Sequence, residues 1–316
     1  ASVGGAFSVR SGIMALGLES MMMMGAFFGV LGSYFTGSVL FGFLLGMVGG
    51  MVIGLFHGIL SVRYKVNQVI SGIGLNLLAL AVTTLLMQLI WSNKGSTPQV
   101  ASISTTLDFF APIPVIGPIL AQQSVSFLVM VAVVIVGWIV LFKTRFGLRL
   151  MACGEHPQAA ASVGINVYKM RWAGVLISGV LGGIGGIVFI TAGVSEWRFE
   201  YGVAGFGFLS LAVMIFGQWK PQRIALAALL FGFFRALGNV YTGFSFLKAM
   251  NLPSSLYNML PYIISLIVLA FTSKNSRAPK AEGIPTTRVC VKLYPVSVSG
   301  RFIRTCRSLH FKLRRI

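Results

Sequence analysis

Few side chains in this sequence could hold a proton, a metal ion or a nucleophile's charge, and those few lie far apart. Six acidic residues and three histidines are spread over 316 residues. Asp108, Glu196 and Glu200 fall between apolar runs, and His57, His156 and His310 have no metal-ligand spacing. Cys153, Cys290 and Cys306 have none either, and their odd number builds no disulfide framework. The chain has no G-x-x-x-x-G-K-[ST] phosphate loop, so it does not hydrolyse ATP by that route. No metal site and no cofactor of its own are expected.

What remains are isolated polar groups inside apolar runs: Glu19, His57, Asn67, Gln68, Asn76, Gln88, Arg235 and Asn239. An ionisable group in lipid is unfavourable by at least ~2.5 kcal/mol on insertion scales, so it faces a cavity or a partner. Asn67, Gln68 and Asn76 either line a polar path, where they could hydrogen-bond a hydroxylated solute, or bond between helices. Glu19 either joins that path or braces a kinked entry into its helix, and Arg235 is a potential partner for it. His57, beside Gly58, reads as a packing histidine.

These groups sit in a chain that is 56% hydrophobic and 10% charged, with mean hydropathy +0.87. Soluble domains carry roughly 25% charged residues. The expected fold is all-α, a polytopic membrane bundle of about eight helices at 13–33, 38–61, 67–91, 125–142, 172–192, 204–217, 224–240 and 256–272. The apolar runs do not alternate as barrel strands do. Gly42, Gly46, Gly50, Gly54 and Gly58 recur every four residues and would let a neighbouring helix approach closely.

Eight alternating crossings starting from a cytoplasmic Arg10 place thirteen Lys and Arg on one side and only Lys94, Arg198 and Lys248 on the other. Positive-inside bias therefore makes the richer side cytoplasmic. That side receives the segment Lys143–Arg171, whose part Gly154–Arg171 is the longest well-patterned polar stretch in the transmembrane domain read over 1–280. The remaining 281–316 read as a basic, disordered C-terminal tail on the same side, held near anionic lipid.

Within Lys143–Arg171, Gly154, Glu155 and His156 precede Pro157, which suits a first helical position. Ala159, Ala160 and Ala161 continue a helix that Gly164 stops before Ile165. Two turns do not stand alone in water. The segment is either a loop with a helical turn or a small helix shaped to enter a partner's cleft.

The stretch FGLRLMACGEHPQAAASVGINVYKMR resembles the cytoplasmic coupling segment of ABC-importer permeases in the branched-chain amino acid and ribose group, most of all the nucleoside and simple-sugar subset. RSGIMALGLESMMMMGAF, NQVISGIGLNLLALAVT, GFGFLSLAVMIFGQWKP and MLPYIISLIVLA agree with it in the same order, from about Phe7 to Pro285. The resemblance implies that Gly154, Glu155, His156, Pro157, Ala159, Ala160, Gly164 and Ile165 dock on a separate ATP-binding subunit that holds ATP and magnesium. It also implies a second, related permease chain and a lipoprotein or periplasmic receptor meeting the 92–124 loop and Ser195–Tyr201. Nucleic acid has no place in it. Ala15 and Ser20 depart from the family's Asn and Gly, and Arg235 stands where an acidic residue is commoner. The family usually has a further N-terminal span, at whose end this chain begins.

The scarcity of buried charge favours a small neutral solute, and the resemblance implies nucleosides first, with simple sugars or branched-chain amino acids as alternatives. A stand-alone carrier would call for acids in mid-membrane, where Glu19 is the chief one. A membrane enzyme would need clustered reactive groups, which the sequence lacks.

Overall fold

A computed structural model describes residues 1–93, 97–98, 125–193, 203, 205–240 and 278–284, with side chains except at 125–126, 191–193 and 237–240. The expected span at 256–272, Ser195–Tyr201, most of the 92–124 loop, the Asn239 side chain and 285–316 lie outside that set. The described helices are α1 Ser2–Arg10, α2 Leu18–Thr36, α3 Val39–Gly58, α4 Gln68–Trp91, α5 Val125–Lys143, α6 Arg145–Glu155, α7 Pro157–Ser162, α8 Val167–Gly193, α9 Phe206–Phe216 and α10 Pro221–Val240. A π turn, Ile59–Arg63, extends α3.

Among the described residues, four helices are long and apolar enough to cross a bilayer: α2, α3 with its π turn, α4 and α8. The α5–α6 pair, bent by 73°, makes a fifth if counted as one span. The protein is thus a multi-pass helical membrane bundle. The run at 204–217, expected as a crossing, forms only the eleven-residue α9. At 1.5 Å per residue α9 covers about 16 Å, roughly half a hydrocarbon core.

Three helices meet backbone to backbone at the centre. A Cβ added to Gly25 of α2 would collide with Gly183 of α8, and one on Gly50 of α3 would collide with Gly179 and Gly183. The α3 glycine stripe thus abuts α8 along its length, from Gly46 against Ile187 to Gly58 against Trp172. Without glycine there, the helices could not reach this separation.

These pairings set the directions. Gly4 lies against Leu181 and Gly174 against Ser11, so α1 runs antiparallel to α8. Gly182 lies against Met21 and Gly29 against Ile187, so α2 runs parallel to α8. The chain therefore reverses between Arg10 and Leu18. α4 runs beside α2, with Gly72 against Leu16 and Thr83 bonded towards Met23. The ends bearing Arg10, Gln68, Arg171 and Gln218 gather together, and this is the basic end of the bundle.

Adding bulk at the three-helix contact forces α3 and α8 apart, a destabilisation of about 1–3 kcal/mol or more. Gly183→Val is expected to reduce monodisperse, detergent-extracted protein at least tenfold. Gly74→Val, whose Cβ would meet nothing within 4 Å, leaves it unchanged.

Candidate functional site

The reversal between α1 and α2 leaves backbone groups unpaired inside the bundle. Gly12 turns the chain with φ +92, a conformation that suits only glycine at ease. Ser8 and Ser11 close the end of α1: Ser11 Oγ donates to the Ser8 carbonyl at 2.6 Å, and Ser8 Oγ donates to that of Ile13 at 3.0 Å. The following residues are held by side chains from two other helices. The Met14 N–H donates to Gln68 Oε1 at 2.8 Å, and His57 Nε2 donates to the Met14 carbonyl at 3.1 Å. His57 Nδ1 then accepts from the Ser71 hydroxyl at 3.1 Å. One turn higher, Asn76 receives the Ser20 N–H at 3.1 Å and donates to the Leu16 carbonyl at 3.2 Å.

Gln68, Asn76 and His57 therefore bond between helices at this break. Asn67 does something different: it caps α4, its Oδ1 accepting from the Val69 N–H at 2.9 Å, and it is exposed.

Glu19, 7% exposed, sits where α2 meets the start of α9. Its Oε1 accepts from the Gly205 N–H at 3.2 Å, and Oε2 accepts from Gly207 at 2.7 Å and Phe208 at 3.2 Å. A carboxylate at a helix N-terminus meets both the free N–H groups and the positive end of the helix dipole. Its neighbour Met21 packs on Gly182, eleven residues along α8 from Arg171, which is about 16 Å. The junction thus lies near mid-depth of a bilayer about 30 Å thick.

Arg235 reaches the same level from α10. Its guanidinium lies 4.3 Å from the centre of the Phe206 ring, at the first residue of α9. Among the described residues it makes no ion pair with Glu19, and in the single chain it is exposed. Phe206 and the Gly205–Phe208 N–H groups had escaped the sequence reading. Their signal is the GFGF run, in which glycines open an apolar segment too short to span.

At the basic end α6 and α7 form an elbow. α6 packs on the bundle, with Gly154 so close to the Arg10 carbonyl that no side chain would fit. The kink falls at His156, which is exposed, between Glu155 ending α6 and Pro157 opening α7. Gly164, at φ +83, ends the turn, where the Ile165 N–H donates to the Ala160 carbonyl at 3.0 Å. Ala160, 4% exposed, points into the bundle. The outward surface is Gln158, Ala159 and Ala161 to Gly164, with Val163 74% exposed.

The chain matches, over residues 1–269, the family described as branched-chain amino acid transport system / permease component. It belongs to that family. The nucleoside ABC transporter permease protein NupC of Lactococcus lactis is 40% identical over 294 residues, covering 90% of each chain. The guanosine ABC transporter permease protein NupQ of Bacillus subtilis is 36% identical, covering 90% of this chain and 91% of its own. NupB, a further nucleoside permease protein of L. lactis, is 25% identical over 60% of this chain and 53% of its own. No solved structure matches. The chain is a permease component, a transport subunit and not an enzyme.

Two consequences can be measured. Glu19→Ala leaves the buried Gly207 N–H and the part-buried Gly205 and Phe208 N–H groups of this permease without their acceptor, a loss of about 2 kcal/mol. The expected fall in melting temperature in detergent is about 5 °C. Glu19→Gln, which keeps one oxygen, should fall between the two, and an unchanged melting temperature for the alanine variant would contradict the bonding. The second concerns Glu282, in the segment 278–284 packed at the basic end. Burial pushes its carboxyl up to about 7. A raised carboxyl favours docking fully below its free value near 4.5 and loses that contribution as pH rises through 7. Amide exchange of Ala281, corrected for intrinsic rate, should therefore speed up from pH 5 to pH 8, and Glu282→Gln should flatten the profile.

Proposed function

We propose that this permease is the membrane-spanning subunit of an ATP-driven importer of nucleosides in a bacterial cytoplasmic membrane. The observation that carries the reading is 40% identity with NupC along nine-tenths of both chains. In this reading the chain makes about eight crossings, the basic end is cytoplasmic, and the C-terminus lies there too.

The outward face of the elbow, from Gln158 to Gly164, docks on a separate subunit that binds ATP and magnesium. Gly154 and Ala160, both buried, hold the elbow's shape from within, Glu155, Pro157 and Ile165 lie half-buried at its edge, and the exposed His156 and Ala159 meet the partner. A second, related permease chain completes the path, as the presence of both NupC and NupB in one organism suggests. A lipoprotein or periplasmic receptor delivers substrate at the opposite end.

The path passes the mid-depth junction of α2, α9 and α10. Arg235, exposed at that depth in the single chain, faces the path or the partner permease because lipid would not tolerate it. A guanidinium lying over a ring offers a flat surface on which a nucleobase can stack. The Glu19 carboxylate is already taken by three N–H groups, so no free carboxylate attracts a cationic solute there. Nucleotide-driven closure of the partner subunits then moves the elbows together and opens the path alternately to each side.

The test is uptake of labelled uridine and adenosine by cells expressing the complete system. Competition by unlabelled nucleosides is expected; competition only by glucose or leucine would reassign the substrate. Val163→Arg should lower both uptake and recovery of the ATP-binding subunit at least tenfold while the chain stays in the membrane. Normal uptake in that variant would refute docking at the elbow.

A further inference from the structure

The segment 278–284 lies outside every described helix, yet it is built into the basic end. Ala281 is buried, and its N–H donates to the Gly154 carbonyl at 2.9 Å. Arg171 Nη1 donates to the Ile284 carbonyl at 2.8 Å. Gly283 lies against Met14. One short segment thus touches the root of the elbow, the foot of α8 and the α1–α2 reversal.

Arg171 is 1% exposed, and its Nε and Nη2 have no hydrogen-bond partner among the described residues. A guanidinium buried this way is unfavourable for stability alone, and apolar residues of similar volume often do better. Among the described residues, its one hydrogen bond is to a carbonyl 113 residues further along the chain. α7 is six residues long and cannot carry force without support.

We propose that 278–284 is a strap and Arg171 a positioning residue that together make the elbow, α8 and the reversal move as one body. This rests on the importer reading above. When the ATP-binding subunit displaces the elbow, Gly154 carries Ala281 with it, and Ile284 carries Arg171 and the foot of α8. With the strap released, the elbow still docks and ATP is still hydrolysed, but the displacement is lost before it reaches the spans.

Cys153, next to Gly154 and 0% exposed, reports on the strap. In the full-length chain carrying Cys290→Ser and Cys306→Ser it is the single thiol. Two variants release the strap from different sides: Arg171→Met removes one donor, and Ala281→Pro removes the other. Each should raise maleimide labelling of Cys153 at least tenfold. In proteoliposomes with the partner subunits, each should lower uridine taken up per ATP hydrolysed at least fivefold, with ATP hydrolysis maintained. Arg171→Lys, which keeps a donor, should restore both. Unchanged labelling in both variants would show that these bonds do not hold the strap. Raised labelling with an unchanged ratio of uptake to ATP would show that the strap is docked but positions nothing. If Arg171→Met fails to assemble, Ala281→Pro decides by the same two readouts. Failure of the importer reading is separate: the unmutated chain would take up no uridine, while the labelling contrast would persist.

Discussion

Lipid offers no hydrogen-bond partners, so every backbone group freed inside this bundle must be satisfied by the protein itself. The chain frees such groups in two places, at the reversal between Arg10 and Leu18 and at the mid-depth start of α9. Among the described residues, several of the buried polar side chains answer them. His57, Gln68 and Asn76 hold the reversal, and Glu19 holds the start of α9. The same residue types that could line a solute path therefore first make irregular backbone possible at that depth. Irregular backbone in a membrane persists where it is enclosed by protein or lines a cavity, and here it is enclosed by α3 and α4 on one side.

The polar core depends in turn on the glycine contact. Met14 reaches both His57 and Gln68 because α3 is drawn close to α2 and α8, where Gly46, Gly50 and Gly54 leave no side chain between the helices. Close approach brings carbonyls and α-carbons of neighbouring helices together and gains dispersion contact that a wider separation forfeits. The most closely packed part of the described molecule is this trio. α9, α10 and the elbow are attached to its rim by few polar bonds each.

Much of this could be read in the sequence. Apolar runs announced α2, α3, α4, α5 and α8, because nothing but burial in lipid or protein explains so many consecutive apolar residues. Pro157 and Gly164 marked the two ends of α7, since each acts through its own backbone geometry. The amides at Gln68 and Asn76 were ambiguous for a physical reason: an amide looks alike in sequence whether its partner is a solute or a backbone group 54 or 60 residues away. The run at 204–217 yields a helix of only eleven residues, and hydropathy does not show where within an apolar run a helix begins. The docking of 278–284 was hidden altogether. It depends on two backbone carbonyls and one arginine, and a sequence shows the arginine but not where a distant carbonyl lies.

The two ends of this arrangement are not independent. α9 is held at its start by Glu19 and at its finish by Arg10, whose Nη2 approaches the Gln218 carbonyl at 3.5 Å. Arg10 ends α1, and its own carbonyl lies against Gly154 at the root of the elbow. The root of the elbow, the end of α1 and the lower end of α9 are thus in contact one after another. The upper end of α9 is tied by three bonds to Glu19 on α2, which belongs to the glycine trio. Phe206 and Arg235 face each other beside that junction, so the line of contacts runs unbroken from the basic end to the level where α2, α9 and α10 meet.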